Sequence, residues 1–227
     1  MTSSPAPISV DIVSDVVCPW CYIGKRRLEA ALSQVSDLSV QVRWHPYQLD
    51  ETIPLEGKDR RRYLLDKFGP DRIETIHDRI EQIGAEENID FAFDKIEISP
   101  NTLDAHRLIL WAKAEGKQTE MVERLFQAFF VNGEDLTKAE TLISIAKEVG
   151  LEEDLVEQLL DTDSDVEKTR KQIAKARQIG VTGVPFFIID GRFAVSGAEA
   201  AETLAAALRH AEETRPGDGM QAPPSPL

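Results

Sequence analysis

Strand-forming patterns occur only near the two ends of this chain, and helical patterns occupy the long stretch between them. Residues 8–13 are rich in β-branched side chains, and residues 38–44 alternate apolar and polar side chains as a half-buried strand does. Strand patterns return at residues 185–195, where Asp190-Gly191 is a typical hairpin turn. The predicted order is therefore β–α–β, a helical block, and β–β–α.

The first predicted helix runs from Cys18 to about Ser36, with Pro19 in its first turn, where a missing N–H group costs nothing. The helical block is predicted to contain no strand pair. Helix starts are predicted at four cap-like segments: Ser99-Pro100, residues 137–140, residues 164–167 and residues 196–199. A thioredoxin-like core divided by a helical insertion has this order of elements, so we predict an α/β fold of that kind.

Four regions follow from this prediction. The first half of the thioredoxin-like core is residues 8–50, the helical insertion is residues 59–179, and the second half of the core is residues 180–213. Residues 214–227 are rich in proline and glycine and are predicted to be a disordered tail.

Acidic residues outnumber basic ones by 40 to 26, which gives a formal net charge of -14 at pH 7. With no surplus of cations to neutralise phosphates, neither nucleic acid nor an anionic membrane is an expected partner. The chain has no apolar run of about 18 residues, and its polar N-terminus up to Pro7 lacks the basic and apolar regions of a signal peptide. These features predict a cytoplasmic protein.

The two cysteines, Cys18 and Cys21, lie at the predicted junction of the first strand and the first helix. They are too few for a disulfide framework, and with scattered histidines they do not form a four-ligand zinc site, so no metal is expected. At a helix N-terminus, free N–H groups favour a thiolate, and a thiol one turn inward can resolve a mixed disulfide. We predict that Cys18 is the exposed nucleophile, that Cys21 resolves, and that Pro19 and Trp20 tune the pair and contact substrate.

Four segments, residues 15–24, 44–49, 182–187 and 195–198, together resemble the DsbA-like thioredoxin family. Within it the chain is most similar to the FrnE-like branch, which is related to 2-hydroxychromene-2-carboxylate isomerases and kappa-class glutathione transferases. The resemblance implies a cis bond before Pro185, close to the cysteines, and a substrate that pairs with the backbone of Val184. It also implies that Asn101 and His106 face the active-site cleft, although without the resemblance the residues favour a helix-face or packing histidine at His106. Asp15 is predicted either to order the turn before Cys18 or to relay protons.

The resemblance further implies a thiol–disulfide oxidoreductase that acts by disulfide exchange or isomerisation. Its partners would be a disulfide-containing protein or small thiol and a cellular reductant, with a homodimer possible and no tightly bound cofactor. The alternative is a glutathione-dependent isomerase or transferase with glutathione beside Pro185. Those relatives typically have serine at the position of Cys18 and a Ser-Asp pair where this chain has Ala198 and Glu199, which weakens this alternative. A non-catalytic binding module is a third hypothesis.

Overall fold

The computed structural model describes residues 6–215 and Leu227. Its central sheet has four strands in the order β2-β1-β5-β6. Strands β1 (Ile8–Ser14) and β2 (Val40–Pro46) are parallel, and β5 (Phe186–Ile189) runs antiparallel to both β1 and β6 (Phe193–Ser196). The two ends of the chain therefore meet in one sheet, and the predicted thioredoxin-like α/β fold is confirmed.

Helices cover both faces of the sheet. Helix α1 (Pro19–Gln34) packs against α9 (Ala201–Glu213), while α8 (Val166–Gln178) contacts β2 and buries Ala176 against Val13. The helices between the two halves of the core are α2 (Arg60–Phe68), α3 (Ile73–Glu86), α4 (Leu103–Ala114), α5 (Gln118–Phe126), α6 (Ala139–Val149), α7 (Glu153–Leu160) and α8 (Val166–Gln178). Short 3-10 and π-helical turns occupy Phe93–Lys95 and Gln127–Asn132.

The prediction that the helical block contains no strand pair is wrong. Strand β3 (Lys58–Asp59) pairs antiparallel with β4 (Ile98–Ser99) and brackets α2 and α3. Strands of two residues are too short to show a period-two pattern, so the sequence gives no signal for them. This small ladder holds both ends of the α2–α3 segment at one place.

The predicted helix caps are also wrong in detail. Helix α4 begins at Leu103, whose N–H donates to Asn101 Oδ1 at 3.0 Å, and not after Ser99. Helices α6, α8 and α9 begin at residues 139, 166 and 201 without a side-chain cap. Two of the motif hydroxyls are used locally: Thr137 bonds Asp135, and Ser164 bonds Thr162. A short polar motif has several local partners, so its spacing alone does not define a cap.

The helical insertion is attached to the sheet at edge strand β2. The Gln118 side chain accepts from the Trp44 N–H and donates to the Trp44 carbonyl, both at 3.0 Å. The Trp44 indole donates to Thr119 Oγ1 at 3.1 Å. Helix α5 therefore satisfies backbone groups that an exposed edge strand would present to another chain.

An aromatic cluster joins α1 to the insertion. The ring of Phe130 contacts the rings of Tyr22, Phe91, Phe93, Phe126 and Phe129, with centroid separations from 4.9 to 6.4 Å. Phe126, Phe129 and Phe130 are at most 1% exposed. Their burial and ring contacts show that they pack helices together and do not line an open groove.

Arg215, which follows α9, is tied to the chain just before β1. The Arg215 guanidinium bonds Asp190 Oδ1 at 2.9 Å and the Pro7 carbonyl at 3.0 Å. Of the predicted disordered tail, residues 216–226 lie outside the described part of the chain. No helix within residues 6–215 combines the length and the apolar character needed to cross a bilayer.

Candidate active site

The two cysteines lie at the start of α1, as the sequence predicts. Cys18 is the N-cap residue, Pro19 occupies the first helical turn, and the Cys18 N–H donates to the Asp15 carbonyl at 3.0 Å. The Cys21 N–H donates to the Cys18 carbonyl at 2.9 Å. The Cys18 sulfur is thereby placed at the positive end of the helix dipole, with Cys21 one turn inward.

The prediction that Cys18 is exposed is wrong. Cys18 is 4% exposed and Cys21 is 0% exposed. The Cys18 Sγ lies 3.6 Å from the Val184 carbonyl oxygen, to which its thiol donates. Because Val184 comes from a segment 166 residues further along the chain, no local pattern reveals that it covers the sulfur.

The peptide bond between Val184 and Pro185 is cis, as the resemblance implies. Its position against α1 depends on Gly24, which sequence reasoning did not single out. A Cβ atom at Gly24 would lie 2.9 Å from Pro185 Cγ and 3.3 Å from Phe187 Cζ. The glycine therefore permits close approach of the cis-proline segment, and that approach brings Val184 to Cys18.

The environment of Cys21 favours the neutral thiol. Burial raises the pKa of Cys21 well above its ordinary value, and the hydrogen bond and charge of Cys18 act in the same direction. Hydrogen bonds from Ser14 and from the Asp15 backbone oppose this pKa shift without reversing it. At neutral pH, Cys21 is therefore a protonated thiol when the pair is reduced.

We expect iodoacetamide to modify Cys18 and to spare Cys21 when the reduced, folded protein is treated at neutral pH. Only a thiolate is alkylated, and the raised pKa of Cys21 means that its thiolate forms only as the pH approaches that higher value. Peptide mass spectrometry across a pH series measures both rates, with the denatured protein as the control in which both sites react. Equal alkylation of the two cysteines in the folded protein at neutral pH would contradict the assignment.

Asp15 and His106 form a buried group behind the cysteines. Asp15 Oδ2 accepts from the Leu49 N–H at 2.8 Å, and Oδ1 lies 3.4 Å from His106 Nε2. That nitrogen also lies 2.8 Å from the Tyr47 carbonyl, which can only accept, so Nε2 carries the proton. The Asp15 carbonyl also accepts from the Cys18 N–H. Asp15 thus contacts both Cys18 and the chain after β2, which is consistent with the turn-ordering role predicted for it.

Asn101 anchors the loop that follows β2. Its Oδ1 accepts from Gln48 Nε2 at 2.9 Å, and its Nδ2 donates to the Ile53 carbonyl at 2.6 Å. Neither Asn101 nor His106 belongs to the wall of the cavity beside Cys18, although the resemblance implies that both face the cleft. The geometry corrects that expectation: both residues hold loop 47–53 from behind, because their polar atoms are engaged with its backbone and side chains.

A cavity of about 510 Å³ opens beside Cys18, and we refer to it as the thiol cavity. Cys18, Pro19, Trp20 and Val184 form one side of it. The other side comes from the helical insertion and is largely apolar, with Leu64 and Phe68 of α2, Ile76 and Ile80 of α3, and Phe93. The predicted substrate contacts Pro19, Trp20 and Val184 are thus brought together around one space. Among the described residues, no three or more His, Cys, Asp or Glu side chains are grouped to hold a metal ion.

Comparison with known proteins agrees with this geometry. The chain is 27% identical over 206 residues to the uncharacterized protein YwbO of Bacillus subtilis, covering 88% of this chain and 96% of that protein. A probable DsbA oxidoreductase from Streptomyces coelicolor superimposes with a TM-score of 0.87 at 28% identity, covering 94% and 93% of the two chains.

The cytosolic disulfide reductase DsbM from Pseudomonas aeruginosa, solved with GSH, has the same fold. Its TM-score is 0.65 at 21% identity, covering 90% of this chain and 99% of that one. The family model of the DSBA-like thioredoxin domain matches residues 9–209, which include both halves of the core, the helical insertion and the cysteine pair. The chain therefore belongs to the DSBA-like thioredoxin domain family.

Proposed function

We propose that this protein is a thiol–disulfide oxidoreductase that uses Cys18 and Cys21 as its redox pair. The observation that carries the proposal is the placement of the Cys18 sulfur: it lies at the N-terminus of α1, borders the thiol cavity and has a buried thiol one turn behind it. This arrangement supplies an attacking group and a resolving group at one site, which disulfide exchange requires.

In the reductive direction, the Cys18 thiolate attacks one sulfur of a substrate disulfide. The substrate S–S bond breaks, a mixed disulfide forms, and the first substrate thiolate leaves with the bond's electron pair. Cys21 loses its proton to solvent and attacks the Cys18 sulfur, which releases the second thiolate. The cysteine pair is oxidised by two electrons and the substrate is reduced by two, and an external thiol or dithiol must then restore the reduced pair.

Four residues are proposed to contact the substrate directly. Pro19 and Trp20 lie between the cysteines, and Val184 and Pro185 lie across from them. An extended substrate segment running beside Val184 would place its disulfide next to Cys18. Asn101 and His106 are proposed to position this site through loop 47–53, because their polar atoms bind that loop.

We further propose that the protein works in the cytosol, as a reductase or isomerase. In a reducing compartment a pair of this kind is kept as dithiol, which favours electron flow towards the substrate. The description of DsbM as a cytosolic disulfide reductase supports this choice.

Glutathione is the second candidate, as a reductant or as the substrate of an isomerase or transferase. DsbM, which shares the fold, was solved with GSH. Two observations argue against a bound γ-glutamyl group. The Ala198 carbonyl already accepts a hydrogen bond from Arg27 Nη1 at 2.6 Å, and Glu199 is an exposed carboxylate. Glutathione is therefore proposed as an electron donor and not as a tightly held cofactor.

We expect the protein to catalyse the reduction of insulin by dithiothreitol, and the Cys18→Ser variant to show only the uncatalysed rate. The reason is that serine cannot form the mixed disulfide. Light scattering from the precipitating insulin measures both rates. Replacing dithiothreitol with glutathione tests whether glutathione can serve as the electron donor. Equal rates for the wild type and Cys18→Ser would overturn the proposal, and a glutathione-dependent activity that survives Cys18→Ser would favour the isomerase or transferase.

A further inference from the structure

The thiol cavity contains a half-buried cation that no carboxylate neutralises. The guanidinium of Arg60 bonds Ser99 Oγ at 3.3 Å and lies 5.8 Å from the ring centroid of Phe129. Within residues 6–215 it takes part in no ion pair. The other arginines that are largely withdrawn from solvent do have carboxylate partners, namely Arg26, Arg27, Arg43, Arg107, Arg124, Arg192 and Arg215.

The carboxylates in the cavity wall are engaged with other groups. Asp15 accepts from the Leu49 N–H and faces His106, and Asp50 accepts from Thr52 and is influenced by the charge of Lys58. The two further cations of the wall, Lys67 and Arg79, have no carboxylate partner among the described residues either. The side of the cavity formed by the helical insertion therefore carries three cations, Arg60, Lys67 and Arg79, among its apolar residues, in a protein whose net charge is -14.

The charged form of Arg60 is unfavourable because its guanidinium is partly removed from water and has no counter-ion in the described part of the chain. Burial lowers the pKa of Arg60 to about 10. Burial also lowers the pKa of His77, and the positive charge of Arg60 adds to that shift, so the neighbouring imidazole is neutral at neutral pH. A half-buried guanidinium without a counter-ion gains from any anion that reaches it, since a charge-assisted hydrogen bond is stronger in poorly solvated surroundings.

We propose that the thiol cavity binds small aromatic disulfides that carry a carboxylate, with the carboxylate on Arg60 and the ring against Leu64, Phe68, Ile80 and Phe93. This inference rests on the proposed function, because Cys18 borders the same cavity and would attack the disulfide. The cavity volume of about 510 Å³ lies within the range of small-molecule sites. An aromatic ring matches the apolar walls, and its carboxylate supplies the charge that Arg60 lacks.

A peptide fits this wall less well than a ring. Each peptide unit carries an N–H and a carbonyl, and apolar side chains of α2 and α3 would leave those groups without hydrogen-bond partners, which is unfavourable away from water. A peptide disulfide is therefore expected to use the open side near Val184 and to leave the Arg60 side of the cavity unused.

The test compares two aromatic disulfides with the reduced protein. Dithiobis(nitrobenzoate) carries a carboxylate on each ring and dithiodipyridine carries none. In each case Cys18 attacks one sulfur and releases one aryl thiolate, and Cys21 then releases the second, which is measured by its absorbance. The variants are Arg60→Gln, the charge-conserving Arg60→Lys, and Arg61→Gln as a matched control at the neighbouring exposed arginine.

We expect Arg60→Gln to slow the reaction with dithiobis(nitrobenzoate) by at least about tenfold, the change that loss of one charge-assisted hydrogen bond produces. Arg60→Lys should retain most of the rate, and Arg61→Gln should match the wild type. The rate with dithiodipyridine should change less than about twofold in every variant, which also shows that the variants are folded.

The outcomes separate this inference from the proposed function. If the wild type reacts with neither disulfide, the proposed function fails. If it reacts with both, and Arg60→Gln slows both equally or slows neither, the redox function stands and the carboxylate site is overturned. A neutral peptide disulfide that depends on Arg60 as strongly as dithiobis(nitrobenzoate) does would also overturn it.

A measurement without redox chemistry completes the test. In the Cys18→Ser/Cys21→Ser double variant, calorimetry with naphthoate should detect binding that is weakened at least about tenfold when Arg60→Gln is added. Absence of naphthoate binding to the double variant would contradict the inference even if the kinetic difference were observed.

Discussion

Replacing Cys21 by serine is expected to stop turnover while leaving Cys18 able to attack, so that a covalent mixed disulfide with the substrate accumulates. Cys21 is 0% exposed and lies one helical turn from Cys18. In the proposed mechanism Cys21 resolves that bond within the molecule. Intramolecular thiols of this kind act at effective concentrations on the order of 10⁵ M or more, so we expect turnover to fall by at least about a thousandfold.

Non-reducing electrophoresis and intact-mass spectrometry after mixing with insulin measure the trapped species. The double variant Cys18→Ser/Cys21→Ser is the matched control and should form no adduct, because it lacks the attacking sulfur. Wild-type turnover in Cys21→Ser would show that Cys18 works alone, as in a monothiol enzyme, and would remove Cys21 from the mechanism.

The Phe130→Ala substitution is expected to have the largest effect on stability, lowering the free energy of unfolding by about 3–5 kcal/mol. Phe130 is 0% exposed and contacts five other aromatic rings, one on α1 and four in the helical insertion. Truncation removes the ring and leaves a cavity where the insertion meets the thioredoxin-like core. Urea unfolding monitored by circular dichroism measures the change.

Leu155→Ala provides the control, because Leu155 is a large apolar residue on α7 with 52% of its surface exposed. Its removal should change the free energy of unfolding by less than about 1 kcal/mol. If Phe130→Ala and Leu155→Ala were equally mild, the aromatic cluster would not be what joins the insertion to the core.

Much of the fold could be predicted because its signals are local. The β-branched strand at residues 8–13, the alternation that becomes β2 and the Asp190-Gly191 turn each depend on neighbouring residues. The helix boundaries and caps were less predictable, since polar side chains such as Thr137 found other partners nearby. The β3–β4 ladder joins residues about forty apart through two residues on each side, which no periodicity reveals.

Some features of the candidate site could likewise be predicted from the sequence, and others could not. The spacing of Cys18 and Cys21 after a strand indicated their position at the helix start, and the resemblance implied the cis bond before Pro185. The low exposure of Cys18 and the need for Gly24 were not predicted, because both result from the approach of Val184 and Pro185 across the fold.

The sequence by itself determined the α/β order of elements and the place of two cysteines at the start of a helix after a strand, because backbone periodicity and residue spacing are properties of short segments. The tertiary structure alone decided what surrounds that pair. It covered Cys18 with Val184, placed Asn101 and His106 behind loop 47–53, and brought Arg60 to an apolar cavity beside the thiol. Burial, the pKa of Cys21 and the missing partner of Arg60 depend on which distant segments pack together, and only the folded chain specifies that packing.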